Sequence, residues 1–220
     1  GPAVFLMHGG RIFPDRPTLG AWVVYGLGSE NQNLPAYVVL DDPKGLPTVG
    51  IRNWQAGWLP PTCQGTRLRS TGSPMLNLRP PDGVPKGVLE LEHSLLANLA
   101  AAHRDNRPGE ADLEARIASY ELAARMQLSA TDALDLSQES ESTQEMYGLN
   151  DELTASYGRR CLMARRLIER GVRMVQIFVE SQIWDNHADL EQGLRYSCGK
   201  TDKPVGALLT DLKQRGLYDS

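Results

Sequence analysis

The chain has 220 residues, 41% apolar and 23% charged, with a formal net charge of -4. This is long and apolar enough for one sizeable core, and it excludes a chain disordered throughout. No dense basic stretch offers nucleic acid an electrostatic foothold, and no apolar run reaches the roughly 20 residues of a membrane helix, so neither nucleic acid nor a membrane span is expected.

The chain opens within an apolar run, Ala3-Val4-Phe5-Leu6-Met7, and stops at Leu217-Tyr218-Asp219-Ser220 straight after a helical pattern. Both ends read as cut from something longer, so the lack of an export signal says nothing about location. His8 lies in Met7-His8-Gly9-Gly10-Arg11, which reads as a glycine-flanked turn. Backbone amides can approach an anion in such a turn, although an ordinary turn is the simpler account. Arg11 and Arg16 carry the fork that grips phosphate or sulfate, or else pair with Asp15 and other surface acids.

Pro17-Thr18 ahead of Leu19, Trp22, Val23 and Gly26 predicts a short helix closed by Gly28, with Gly20 and Trp22 in structural roles. Ala36-Tyr37-Val38-Val39-Leu40, between Pro35 and Asp41-Asp42-Pro43, predicts a strand. Residues 41–87 hold eight of the 14 prolines, so they form an irregular excursion, with Trp54 and Trp58 expected to pin it down. Cys63, Cys161 and Cys198 are widely spaced with no CxxC pair, which argues against a structural zinc site and a disulfide framework.

Two helical patterns follow and read as an antiparallel pair: Val88 to His103, carrying Leu91, Leu95 and Leu99, and Glu110 to Leu128, carrying Leu113, Ile117 and Tyr120. After a polar stretch, Asp135 to Glu145, a third helix is predicted over about Asp151 to Arg170 and closed by Gly171. Its arginines, Arg159, Arg160, Arg165 and Arg166, read as a solvated face. Val172-Arg173-Met174-Val175-Gln176-Ile177-Phe178-Val179 then reads as a buried parallel strand, and a last helix spans about Lys203 to Arg215 with Val205, Leu208, Leu209 and Leu212 inward. The whole is an α/β fold in one domain, 1–220, in which 41–87 is the excursion, 88–150 a helical insertion and 151–220 a helix, strand, helix unit.

Trp184-Asp185-Asn186-His187 sits where that second strand run ends. Ligands of open α/β sheets bind outside the carboxyl ends of parallel strands, so Asp185 and His187 are candidate metal ligands. An Asp with a His suits zinc, manganese or iron, yet two ligands make at most half a site. The plainer alternative makes Asp185 a cap of the next helix and His187 a solvated loop residue. Asp189 reads first as a helix-start residue. No phosphate loop, nucleophile elbow or Cys with a His partner is present in the sequence.

Several long stretches carry a family resemblance. Met7-His8-Gly9-Gly10-Arg11-Ile12-Phe13-Pro14-Asp15-Arg16-Pro17-Thr18-Leu19-Gly20-Ala21-Trp22 and Tyr25-Gly26-Leu27-Gly28-Ser29-Glu30-Asn31 resemble the bacterial domain-of-unknown-function 1501 family. So do Leu34-Pro35-Ala36-Tyr37-Val38-Val39-Leu40, Tyr157-Gly158-Arg159-Arg160-Cys161-Leu162-Met163-Ala164-Arg165-Arg166-Leu167, Gly171-Val172-Arg173 and Trp184-Asp185-Asn186-His187. The resemblance runs in order along essentially the whole chain.

The resemblance implies a branch of the alkaline phosphatase and sulfatase superfamily: mostly parallel α/β sandwiches that hydrolyse phosphate or sulfate esters at a two-metal site. It implies divalent metal ions (zinc, manganese, iron or calcium), a small-molecule or polysaccharide ester as substrate, and twin-arginine export to the periplasm in the full-length protein. By the Trp-Asp-x-His motif, it implies metal ligation by Asp185 and His187. His8, Arg11 and Arg16 are expected at the edge of the substrate site. The family's first metal-binding aspartate segment, the segment near its nucleophile and its Gly-Glu-Phe-Gly-Arg motif have no counterpart in the 220 residues, which are therefore expected to be an internal fragment and inactive alone. The alternatives are a non-catalytic exported protein that keeps the fold for binding or surface assembly, or an inactive gene fragment.

Overall fold

Three parallel strands lie at the centre of the chain, with helices on both faces of the sheet. The computed structural model describes residues 2–72, 85–180 and 182–219. In chain order the elements are α1 (Pro2–Gly9), α2 (Leu19–Leu27), β1 (Tyr37–Leu40), β2 (Thr66–Leu68), α3 (Lys86–Asp105), α4 (Ala111–Leu134), α5 (Glu141–Met146), α6 (Ala155–Glu169), β3 (Met174–Ile177) and α7 (Leu190–Gln214). Short 3-10 turns occupy Gly50–Trp54, Pro61–Cys63 and Leu136–Gln138. Among the described residues no helix is long and apolar enough to cross a membrane.

The sheet order is β2-β1-β3, with Val38 opposite both Thr66 and Val175. β1 is the middle strand, and its four β-forming residues are all buried, as a parallel strand covered on both faces requires. Alternation along it separates two apolar clusters. Val38 and Leu40 join Cys161, Leu162 and Leu167 of α6, with Leu68, Tyr147 and Met126. Tyr37 and Val39 face the other way onto Trp54, with Val24, Met174 and Phe178 against them. Each fully buried leucine in the first cluster contributes about 1.5–3 kcal/mol by leaving water.

On the second face α2 rests directly on the Tyr37 ring. A Cβ at Gly20 would lie 2.3 Å from Tyr37 Cζ, so only glycine allows this approach. Trp54 is buried as expected, but Trp58 is 64% exposed and stacks edge-on against Trp22 at 5.1 Å between ring centroids. Trp58 thus ties the excursion to α2 at the surface rather than in the interior. Within that excursion the structure adds the edge strand β2, and residues 73–84 lie outside the described residues.

The arginine-rich face expected to be solvated on α6 is largely interior. Arg160, Arg165 and Arg166 are buried because acids from distant segments meet each guanidinium. Arg165 Nη2 lies 2.6 Å from Glu139 Oε2, its Nη1 2.6 Å from Glu169 Oε2 and its Nε 3.0 Å from Asp211 Oδ2. Arg166 also pairs with Glu139 and donates from Nε to Ala133 O at 2.9 Å. Burial of a charge is tolerated where partners satisfy it in this way.

Two further departures concern helices. α7 starts at Leu190 rather than near Lys203, because Pro204, which resembles a first-turn proline, lies inside the helix. Val205 and Leu209, expected inward, are exposed, while Ala207 and Asp211 are buried. The polar stretch before α6 contains α5, capped by Ser140, whose hydroxyl accepts from Thr143 N at 3.2 Å. α3 and α4 lie against each other, yet Val88, Leu91, Leu95, Leu99 and Tyr120 all stand exposed.

Candidate functional site

β3 delivers the chain through Phe178, Val179 and Glu180 to a loop, residues 182–189, that α7 closes. Gln182 with φ 62° and Asp189 with φ 48° bracket this loop in the left-handed region, which non-glycine residues rarely adopt. Asp185 N donates to Gln182 O at 2.9 Å, closing the first turn. Asp189 is the residue before α7, as expected of a helix-start residue, but its side chain makes no capping hydrogen bond. Asp185 does not cap α7 either.

Inside the loop His187 Nε2 lies 2.9 Å from Asp185 Oδ1, and both side chains are largely exposed. With bonds of about 2.0–2.2 Å, two ligands at right angles around one ion stand about 2.8–3.1 Å apart. The pair therefore stands at the spacing of two neighbouring corners of an octahedral shell, and closer than the roughly 3.3–3.6 Å of a tetrahedral one. The same separation also suits a hydrogen bond between the imidazole and the carboxylate. Among the described residues no group of three or more His, Cys, Asp or Glu side chains converges to hold an ion.

Three other carboxylates at this end of the sheet, Asp41, Asp42 and Glu180, are already paired. Asp41, directly after β1, accepts from Arg67 Nε at 2.8 Å. Asp42 is sealed against Arg160 and also accepts from Lys44 N at 3.0 Å. Glu180 lies 2.5 Å from Lys44 Nζ and 3.1 Å from the buried Lys200 Nζ, and it accepts from the Tyr196 hydroxyl. Burial alone would raise the Glu180 carboxyl, but the bonds from Lys44, Tyr196 and Lys200 override it and hold it at about 2, against an ordinary 4.5. Glu180 is thus a fixed anion at the root of the Asp185 loop. Sequence reading missed this cluster; the available signal was a single acid directly after an apolar run.

His8, Arg11 and Arg16 do not join this loop by any hydrogen bond or ion pair among the described residues. His8 is in the last turn of α1 rather than in a free turn, because the apolar residues before it continue into a helix. Its ring stands 3.3 Å from Gln176 Nε2 and edge-on to Phe178, and burial lowers its imidazole below the ordinary 6.5, favouring the neutral ring. Gln176 in turn accepts from the Tyr37 hydroxyl, so His8 ends a polar chain reaching the core. Arg11 is exposed and pairs with Asp15 at 3.1 Å. Arg16 is exposed, and its carbonyl accepts from Gln55 Nε2 at 3.4 Å.

Comparison with curated proteins and with solved structures gave no match. The model of the family described as "Protein of unknown function (DUF1501)" matches residues 1–220, the full span that carries the strand-end loop and the buried arginine helix, and the chain belongs to the DUF1501 family.

Proposed function

We propose that this chain supplies two ligands, Asp185 and His187, to a divalent-metal site in an exported hydrolase of phosphate or sulfate esters. The observation that supports the reading is the 2.9 Å approach of Asp185 Oδ1 to His187 Nε2 in an exposed loop beyond a parallel strand, where α/β folds place their ligands. A bound zinc, manganese, iron or calcium ion would polarise the ester and stabilise charge on its oxygens. Asp185 would hold the ion through a carboxylate oxygen and His187 through Nε2. Glu180, fixed by two lysines and a tyrosine, anchors the chain just ahead of the loop. Arg11 and Arg16 are exposed guanidiniums that suit the anionic oxygens of a small-molecule or polysaccharide ester.

A second reading, a non-catalytic exported binding protein with this fold, draws support from the two-membered donor set. Elemental analysis of the full-length protein separates the two, comparing wild type with the Asp185→Ala, His187→Ala double variant. Stoichiometric metal in the wild type and its loss in the variant is the expected result. Metal absent from both, or equal in both, overturns the assignment and favours the binding protein.

A further inference from the structure

The Asp185–His187 pair owes its geometry to what stands beneath it. Asn186, between the two, packs against α7 at Gly193, where a Cβ would lie 2.0 Å from Asn186 Oδ1 and 2.5 Å from its Cγ. Glycine is a poor residue inside a helix, so its presence in the first turns of α7 is explained by this close approach. One turn further on, Ser197 is fully buried, with Oγ 2.5 Å from Ile183 O and 2.9 Å from Gly193 O. Its hydroxyl is thus shared between the loop and the helix. Asn186 Nδ2 reaches the same Ile183 carbonyl at 3.5 Å. The left-handed residues Gln182 and Asp189 close the loop at either end, a strained arrangement that persists only where its surroundings over-determine it.

We propose that Gly193 and Ser197 are positioning residues for the Asp185–His187 pair, resting on the metal-site reading above. Gly193 leaves free the space that the Asn186 side chain occupies, a role that lapses when that side chain is removed, and Ser197 ties the start of the loop to α7, so the two donor atoms are held at ligand spacing before any ion arrives. Loss of a group that orients metal ligands typically costs about ten- to hundredfold in affinity.

The test uses the full-length protein as wild type, Gly193→Ala, Asn186→Ala and Asn186→Ala/Gly193→Ala, with Ser197→Ala as a further variant. Zinc affinity is measured by titration calorimetry. In metal-free protein with labelled histidine, nuclear Overhauser contacts between the His187 ring and the Asp185 β-protons are recorded. Gly193→Ala and Ser197→Ala are expected to weaken zinc binding about ten- to hundredfold and to lose the contacts. Asn186 belongs to an exposed loop that can move aside, unlike a core ring, and alanine favours the helix over glycine, so the Gly193→Ala melting temperature should stay near wild type. The double variant, in which the colliding side-chain atoms are gone, recovers both zinc affinity and contacts. Contacts that survive in Gly193→Ala, or a loss that Asn186→Ala does not repair, overturn the proposal. If the wild type takes up no zinc, the metal reading fails separately, and the proton contacts decide the positioning role by the same pattern.

Discussion

Arg160 and Asp42, 118 residues apart in sequence, form an ion pair sealed from solvent between α6 and the carboxyl end of β1. Asp42 has a second donor in Lys44 N, and Arg160 a second acceptor in Ser156 Oγ at 3.0 Å. Removing one member leaves the other charged and buried. Arg160→Met should therefore destabilise the fold by about 3–5 kcal/mol in urea unfolding, the range for breaking a buried pair. A loss under about 1 kcal/mol would show that Asp42 finds water or another cation.

Gly20→Ala sets a helix gain against a collision. Alanine favours α2 by up to about 1 kcal/mol. Its methyl, however, would overlap the Tyr37 ring, which is buried and bonded to Gln176. Overpacking of this kind costs about 1–3 kcal/mol, so a net loss is expected in the denaturation midpoint. A stabilised variant would mean that α2 can lift off the sheet without penalty.

The depressed Glu180 carboxyl gives acid stability a definite sign. A group whose folded value lies below its unfolded one stabilises in full above the unfolded value, here 4.5, and the contribution disappears as pH falls towards about 2. Other paired carboxylates, Glu139 among them, add slopes of the same sign. The informative quantity is the difference between wild type and Glu180→Gln, which should be constant above pH 5 and shrink between 4.5 and 2. A difference that does not change over that interval would remove Glu180 from the ion cluster.

The three cysteines should separate cleanly in a native thiol titration. Burial pushes Cys161 up to about 12 and raises Cys63 as well, whereas Cys198 is exposed on α7. The thiolate is the reactive form, so a maleimide should modify Cys198 rapidly and the other two only on unfolding. Equal labelling of Cys161 in native protein would contradict the packing of α6.

The parts of this fold that were legible in the sequence are those written in consecutive residues. Tyr37-Val38-Val39-Leu40 is a run of strand formers and became β1; Gly171 marks the end of α6, and β3 follows within the expected run. The Asp185–His187 loop was found because its position depends only on where that run stops. The arginines of α6 were misread for the opposite reason: a charged helix face and a buried ion network have the same local pattern, and Glu139, Asp211 and Asp42 declare themselves only in three dimensions. β2 is three residues long inside a proline-rich stretch, too short for an alternation to show. Glu180 required Lys44 and Lys200 to be seen together, and they lie on opposite sides of it along the chain.

Pro204 interrupts the hydrogen-bond ladder of α7 between two sets of contacts. Having no N–H, it leaves the Lys200 carbonyl without the bond that residue 204 would give in an unbroken helix. Ahead of that gap, Gly193, Tyr196, Ser197 and Lys200 grip the loop and Glu180; behind it, Ala207 and Asp211 are locked into the interior. The loop's supports and the interior are thus joined through one rod whose ladder of bonds is thinnest between them.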